Sequence, residues 1–315
     1  WFKVEDSYFG GRRRGRSSRL VSEARFGKAR GFQTGSSTLA EPTDAAEWTT
    51  YLMGIGGSPL TFRVAMAALS NGDLAMVLSG GASYLSSNVI PETVGDWSAQ
   101  HYIAPTSRPA NTDKIFVSEH DGKIYVSAGP LGGSGKPGAE VYVSDDLSPT
   151  ENGDWTGSGL SRGVADGDEI EGSQLTNLFF WNELPCSIYT TGYFLDPGHI
   201  ILRQADSAVP DALEDWTNRH ELFQGTGGLW IGTALLDANR ALVPFADVAN
   251  SRIALLRQTR IALESSGSWE LQPVDSTDSP ALSYVVPIVI QGRIALAYTA
   301  TASSQLVVSI SDGSY

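Results

Sequence analysis

A short pattern recurs along this chain: proline, four further residues, an acidic residue, tryptophan, and then serine or threonine. It occurs four times at intervals of roughly fifty residues, and a fifth, degenerate copy ends at Ser268-Trp269. Recurrence at such a spacing is typical of repeat architectures, in which each copy marks one supersecondary unit. The pattern therefore constrains the fold more than any other feature of the sequence. The four complete copies span residues 42–49, 91–98, 149–156 and 210–217.

Each unit has the same order of apolar runs and turns. In the second unit, runs at 62–69 and 74–78 flank Asn71-Gly72, and in the third, runs at 115–118 and 123–127 flank Asp121-Gly122. Asn-Gly and Asp-Gly between alternating apolar runs are strong β-hairpin signals. Four strands per unit without helical periodicity predict an all-β fold, the four-stranded antiparallel blades of a β-propeller. The remaining runs are at 83–90, 97–103, 139–144, 229–236, 241–245, 253–258, 283–290, 293–298 and 305–310.

The last unit has three strand-like runs and no tryptophan of its own, whereas the chain begins with Trp1-Phe2-Lys3-Val4. We therefore expect the N-terminal strand, Trp1 to Val4, to complete the last blade, because an added strand pairs an otherwise exposed edge. This predicts one domain over residues 1–315 with six blades. The alternative is that five blades close without that strand.

Read circularly, Ser309 to Tyr315 followed by Trp1 resembles the Asp box, Ser-x-Asp-x-Gly-x-x-Trp, of sialidase-like β-propellers. Ser144-x-Asp146 and Ser86-x-Asn88, each eleven residues before its tryptophan, resemble lengthened copies. The resemblance covers the repeat framework of the whole chain. It implies that the repeated acids cap turns and that the tryptophans pack between blades. It implies no sialidase activity, because the family's Arg-Ile-Pro type segment is missing. The segments around Arg63 and Arg108 resemble it only distantly.

The charge and hydrophobicity of the chain argue against several classes of function. The net charge of −13 argues against a nucleic-acid binder, which would need a basic surface. No apolar run is long enough for membrane insertion. The chain begins at Trp1 with nothing that resembles a signal peptide, so targeting information is absent.

The single cysteine and the four histidines give no strong indication of a catalytic or metal site. Cys186 cannot form a disulfide within the chain and is expected to be a buried, inert thiol. The four histidines have no metal-ligand spacing, so no cofactor is expected from them.

Candidate catalytic residues lie in the loops that would surround the mouth of a propeller channel. Loops on a rigid scaffold are where function concentrates, and a glycosidase would need two carboxylates there. The same acids offer oxygen ligands, so Asp166, Asp168 and Glu171 are candidates for a calcium site. The alternative is a solvated acidic loop. The candidate catalytic acids are Asp166, Asp168, Glu169, Asp196 and Asp275.

A cluster of arginines from Arg12 to Arg19 gives this acidic chain one locally positive segment. If it forms the inner strand of the first blade, Arg12 and Arg14 would point into the channel and hold a carboxylate, phosphate or sulfate. An exposed hairpin is the alternative. The candidate ligand-binding residues are Arg12, Arg14, Arg63, Arg108, Tyr193 and His199.

The leading functional prediction is a noncatalytic recognition or assembly module, carbohydrate-binding, in an extracellular or virion-associated protein such as a viral tail protein. Its partner would be a glycan or a protein surface, within a larger assembly. One alternative is a glycoside hydrolase or lyase that uses the carboxylates of the mouth loops. Another is a structural hub for protein–protein interaction.

Overall fold

The computed structural model consists almost entirely of antiparallel β-strands. Among the described residues 23 strands form six sheets, which we number 1 to 6 in chain order. None of the described helices could span a membrane. The described residues are 31–37, 48–54, 64–78, 82–86, 91, 93–98, 101–103, 112–130, 139–159, 171–191, 198–226, 229–237, 240–259, 268–275, 285–290, 293–300 and 305–312.

Sheets 1 to 3 come from the first half of the chain, and strands that follow one another along the chain are neighbours. Sheet 1 contains β1 (Gly31–Ser37) and β2 (Trp48–Gly54). Sheet 2 contains β3 (Val64–Ala68), β4 (Leu74–Leu78), β5 (Ala82–Leu85) and β6 (His101–Tyr102). Sheet 3 contains β7 (Thr112–His120), β8 (Lys123–Pro130), β9 (Glu140–Ser144) and β10 (Trp155–Gly159).

Sheets 4 and 5 each have a first strand that is split in two. Sheet 4 contains β11 (Glu171–Leu175), β12 (Phe179–Trp181), β13 (Leu184–Thr191), β14 (His199–Gln204) and β15 (Asn218–Gln224). Sheet 5 contains β16 (Leu229–Ile231), β17 (Leu235–Asp237), β18 (Arg240–Asp247), β19 (Arg252–Gln258) and β20 (Trp269–Asp275). Sheet 6 contains β21 (Val286–Ile290), β22 (Arg293–Ala300) and β23 (Gln305–Ile310).

The predicted hairpins are confirmed. Asp121 and Gly122 join β7 to β8 with φ values of 46° and 71°, the positive values that a two-residue type I′ turn requires. Gly72, between β3 and β4, has φ of 97°. These turns are set by local sequence, because glycine and aspartate tolerate positive φ better than other residues do.

Neighbouring sheets pack face to face in chain order, with β3 against β7, β7 and β8 against β11, β13 against β16, and β18 against β21. Buried apolar clusters fill each of these interfaces. Trp155, Trp216 and Trp269 each pack with residues of their own and the preceding sheet, as predicted. The all-β prediction and the propeller framework are therefore confirmed.

The split first strand of sheet 5 differs from the prediction of one strand over 229–236. Gly232 N–H donates to the Pro244 carbonyl of β18 at 2.8 Å, which continues the ladder by one position. Thr233 N–H leaves the ladder and donates to the Val285 carbonyl at 3.2 Å. A Cβ built on Gly232 would lie 2.0 Å from the Val285 oxygen. The strand breaks because its backbone approaches sheet 6 closely at this glycine.

The outer strand of sheet 2 is also less regular than the predicted run over 97–103. Trp97 forms only an isolated bridge with Ser86, and β6 is two residues long. A 3₁₀ turn, Val94–Asp96, leads into Trp97. Its counterparts in sheets 3 and 4 are Asn152–Asp154 and Leu213–Asp215.

The predicted closing strand, Trp1 to Val4, lies outside the described residues. Sheet 6 has three strands among them, in agreement with the three runs predicted there. Six blades are therefore not established.

Candidate functional site

The connections between strands fall at two ends of the sheets. In an antiparallel sheet the links from the second to the third strand, and from the outer strand to the next sheet, share one end. We call this the mouth end; β13 ends and β14 begins there, as do β18 and β19. The opposite end, which we call the turn end, carries the tight hairpins and the 3₁₀ turns.

The turn end is regular because the repeated acids organise it. Asp154 accepts hydrogen bonds from the backbone N–H groups of Thr150 (2.6 Å) and Glu151 (3.0 Å). Asp215 accepts the equivalent bonds from Asp211 (2.7 Å) and Ala212 (3.1 Å). These bonds lower the pKa of both carboxyls. The repeated acids therefore cap turns, as predicted.

The mouth end carries the irregularities. Register shifts interrupt four ladders: between Thr112 and Lys114 in β7, and between Glu171 and Gln174 in β11. The other two lie between Ile200 and Ile201 in β14, and between Ile253 and Ala254 in β19. All four are within a few residues of the mouth end. Such β-bulges re-aim side chains and are over-represented next to active sites.

An aspartate or glutamate lies in or directly beside each of these four bulges. Asp113 is the residue that the β7–β8 register skips, and Glu171 is the last paired residue before the shift in β11. On the outer strands β15 and β20, Glu221 and Asp275 are the paired residues next to the skipped residues Leu222 and Val274. A bulge at a carboxylate changes the direction in which the strand presents its residues there.

Two of these four positions belong to first strands of neighbouring sheets. Asp113 is in β7 and Glu171 is in β11, and these strands are in contact. The topology therefore places two carboxylate positions at the same end of adjacent strands. Chemistry with a pair of carboxylates needs two such positions near one another.

A hydrogen-bonded histidine and carboxylate lie on the outer part of the mouth end. His199 Nδ1 is 2.9 Å from a carboxylate oxygen of Glu221, which is about half exposed. The two residues come from β14 and β15, next to the bulge at Ile200. His199, a predicted ligand-binding residue, is thus held by a neighbouring strand.

A second charged group at the mouth end is structural. The Asp247 side chain is fully buried and accepts bonds from Arg252 Nε (2.9 Å) and Asn250 Nδ2 (2.8 Å). A buried carboxylate that is paired and hydrogen-bonded in this way rigidifies its surroundings. It holds the connection from β18 to β19 in place.

Most of the residues predicted for the site lie outside the described part of the chain. His199 is described with its side chain, whereas Glu171 and Asp275 are described by their backbone alone. Sequence reasoning missed Asp113 as a candidate, and Glu221 as well. No sequence signal marks a bulge, because the shift depends on the partner strand. The residues outside are Arg12, Arg14, Arg63, Arg108, Asp166, Asp168, Glu169, Tyr193 and Asp196.

Metal binding is not supported by the described residues, among which no three histidine, cysteine or acidic side chains are grouped to hold an ion. Two of the three calcium candidates, Asp166 and Asp168, are not in that set, so calcium stays a prediction. Cys186 is buried, and burial raises the pKa of its thiol.

Comparison with known proteins returns structures but no sequence relatives. No protein-family model matches the chain, and no curated protein is significantly similar to it. An α-L-arabinofuranosidase from Lactobacillus brevis has 11% identity and a TM-score of 0.46, over 78% of this chain and 88% of that one. An endo-arabinase from Bacteroides thetaiotaomicron has 16% identity and a TM-score of 0.42, over 81% and 92%. An α-L-arabinanase from Cellvibrio cellulosa has 10% identity and a TM-score of 0.44, over 78% and 90%.

Further similar structures are described as family 43 glycoside hydrolases. This finding contradicts the leading prediction of a noncatalytic recognition or assembly module, which we withdraw. The sialidase-like Asp-box assignment is not confirmed, and neither the virion nor the extracellular setting gains support. Of the sequence-based interpretations, the glycoside hydrolase alternative agrees best with the comparisons.

Proposed function

We propose that the protein is a glycoside hydrolase whose active site lies at the mouth end. The observation that carries this proposal is the coincidence of four β-bulges with four carboxylate positions at that end. At the turn end, in contrast, Asp154 and Asp215 cap regular turns. Selection for a site, rather than for framework, would act at an end where the strand register shifts beside four acidic positions.

Asp113 and Glu171 are the proposed catalytic pair. They occupy the first strands of adjacent sheets, whereas Glu221 and Asp275 lie on outer strands. Glycoside hydrolysis uses one carboxylic acid to protonate the leaving oxygen, and a second carboxylate to activate water or attack the sugar. The separation of the two groups decides between inversion and retention. Glu221, paired with His199, is proposed to support the sugar-binding surface.

The experiment is hydrolysis of a panel of chromogenic glycosides and polysaccharides by the purified protein. The panel includes an α-L-arabinofuranoside and arabinan, which the names of the similar structures suggest. Asp113→Asn and Glu171→Gln should each lower kcat by about 10²- to 10⁴-fold, the usual contribution of an acid–base group. Glu214→Gln, at an exposed acid of the turn end, is the matched control and should retain full activity.

Two results would overturn the proposal. Absence of hydrolysis across the whole panel would remove the assigned activity, and full activity in both variants would remove the assigned residues. Products with an unsaturated sugar ring would instead identify a lyase. The proposed partner is accordingly a glycan substrate, and an extracellular location stays a prediction that detection of the native protein outside its cells would test.

We also propose that the framework has six blades. Six separate sheets follow one another along the chain, and sheet 1 meets the 3₁₀ turn of sheet 2 through β2. Five blades would leave one sheet outside the ring. A projection of the purified particle by electron microscopy would count them, and five-fold density would contradict this proposal.

A further inference from the structure

The sequence contains two Asn-Gly dipeptides, and both lie in turns at the turn end. Asn71-Gly72 is in the hairpin between β3 and β4, and Asn152-Gly153 begins the 3₁₀ turn before Trp155. Asparagine followed by glycine is prone to deamidation, because glycine has no Cβ to hinder attack by its own backbone nitrogen. Both asparagines are exposed. Their reactivity in the folded protein therefore depends on how the two turns hold them.

The hairpin holds Asn71 firmly. Its Nδ2 donates to Asp73 Oδ2 at 2.9 Å, and its Oδ1 accepts from Asp73 N–H at 3.0 Å. The backbone nitrogen that would attack the side chain, that of Gly72, donates to the Leu69 carbonyl at 3.0 Å. The amide that would leave and the nitrogen that would attack are thus both engaged in hydrogen bonds.

The Asn152-Gly153 dipeptide lacks these restraints. No hydrogen bond of the Asn152 carboxamide is found among the described residues, and no acceptor for the Gly153 N–H is found there either. An N–H in the first turn of a helix has no partner within that helix. The nearest atom to a Cβ built on Gly153 is a side-chain oxygen of Glu151 at 3.8 Å. The space around the attacking nitrogen is therefore open.

The 3₁₀ turn must open before the reaction, because the Asn152 backbone has to rotate to bring Cγ to the next nitrogen. Asp154 N–H donates to the Glu151 carbonyl at 3.2 Å, and Trp155 N–H donates to the Asn152 carbonyl. The carboxylate cap of Asp154 adds the main restraint. A single exposed 3₁₀ turn has poor hydrogen-bond geometry and opens at a small cost in free energy.

We propose that Asn152 is a site of spontaneous deamidation in the folded protein, and that Asn71 is protected. The Gly153 nitrogen forms a bond to Cγ of Asn152, the Cγ–Nδ2 bond breaks, and ammonia leaves with the proton that the attacking nitrogen loses. Water then opens the resulting succinimide at either carbonyl, which gives aspartate or isoaspartate. The net reaction consumes one water and releases one ammonia.

The products change the charge and the backbone of this turn. Both place a new carboxylate between Glu151 and Asp154, and isoaspartate also adds a methylene to the main chain. The equivalent turns of sheets 2 and 4 begin with Val94 and Leu213, so the reactive residue belongs to sheet 3 alone among the three. This inference does not depend on the proposed hydrolase activity, because the turn end is opposite the mouth end.

Peptide mapping of aged protein tests the inference. The folded protein is incubated at mildly alkaline pH and digested, and conversion to aspartate and isoaspartate at the two sites is followed by chromatography and mass spectrometry. Conversion at Asn152 should be at least about tenfold faster than at Asn71, because Asn71 must first lose its hydrogen bonds. Equal rates, or faster conversion at Asn71, would overturn the inference.

The same protein in urea is the matched control. Both dipeptides are then unstructured and should react at similar rates, so a preference that appears only in the folded protein belongs to the structure. Conversion at Asn152 in urea without conversion in the folded protein would also overturn the inference.

Two variants locate the reaction within the turn, with circular dichroism to check that each is folded. Gly153→Ala should slow conversion at Asn152 by at least about tenfold, because a methyl group hinders the attacking nitrogen. Asp154→Ala should speed it by about 2- to 30-fold, the change that corresponds to loss of a cap. An unchanged rate in Gly153→Ala would contradict the attacking atom, and an unchanged rate in Asp154→Ala would contradict opening of the capped turn.

Discussion

Trp216 and Ser158 join two neighbouring sheets through a buried hydrogen bond. The indole Nε1–H of Trp216 donates to Ser158 Oγ at 3.1 Å, and the two residues are only 2% and 5% exposed. Ser158 is in the outer strand of sheet 3, and Trp216 precedes that of sheet 4. The tryptophan of the repeated pattern thus forms a hydrogen bond between adjacent sheets here, as well as filling the space between them.

We expect a measurable coupling between these two residues. Ser158→Ala should lower the free energy of unfolding by about 1 kcal/mol, because the indole N–H loses its acceptor. Trp216→Phe should cost about 1–3 kcal/mol from lost volume and the lost bond. The double variant should cost less than the sum, by about 0.5–1.5 kcal/mol. Urea unfolding of the four proteins checks this, with exposed Thr217→Ala as a control; strict additivity would contradict the bond.

Gly232→Ala should destabilise the protein strongly. The new Cβ would meet the Val285 carbonyl at 2.0 Å, and backbone oxygen cannot rotate away. We expect a loss of about 1–3 kcal/mol or more from the forced shift between sheets 5 and 6. Gly153→Ala is the control, since its nearest neighbour is a flexible Glu151 side-chain atom at 3.8 Å. Equal denaturation midpoints for the two variants would show that the sheets separate easily here.

Low pH should reduce the stability that the capped turns of the turn end contribute to the fold. Backbone hydrogen bonds lower the pKa of Asp154 and Asp215 below the usual value of 3.8. A carboxyl with a lowered folded-state pKa stabilises the fold above 3.8, and the contribution is lost as pH falls through the folded-state pKa. In Asp154→Asn and Asp215→Asn the melting temperature should therefore fall less between pH 5 and pH 2. Melting curves across that range, with exposed Glu214→Gln for comparison, check the effect; parallel curves would contradict it.

High pH should destabilise the protein through ionisation of Tyr125. Burial raises the pKa of Tyr125 to about 12, with a smaller contribution from Asp121. Stability that depends on the neutral phenol is complete below pH 10 and is lost as pH rises toward 12. Its hydroxyl also donates to the Ala208 carbonyl at 2.9 Å. Tyr125→Phe should be less stable at pH 8 by about 1 kcal/mol, yet lose less of its remaining stability up to pH 11.

Cys186 should be unreactive in the folded protein. It is fully buried, and burial raises the pKa of its thiol, so little thiolate forms at neutral pH. A thiol reagent should label about one group per chain in denaturant, and native protein should react at least about a hundredfold more slowly. Rapid labelling of the native state would mean that β13 opens readily.

Local sequence determined much of the framework. The Asp121-Gly122 turn was predictable because it depends on neighbouring residues and positive φ alone. The capping roles of Asp154 and Asp215 were likewise predictable, since each acid bonds backbone groups within four residues of itself. The placement of the tryptophans between sheets followed from their recurrence, which marks one equivalent position in every unit.

The places where these units depart from the repeat depend on contacts between distant parts of the chain. Asp113 and Glu171 look like ordinary polar residues beside loops, and their positions at bulges depend on how β8 and β13 pair with them. The break at Gly232 depends on the carbonyl of Val285, which is distant in sequence. Register and close approach are properties of two strands together, so neither strand's own residues specify them. The repeated framework thus follows from local sequence, whereas the candidate site follows from the pairing of distant strands.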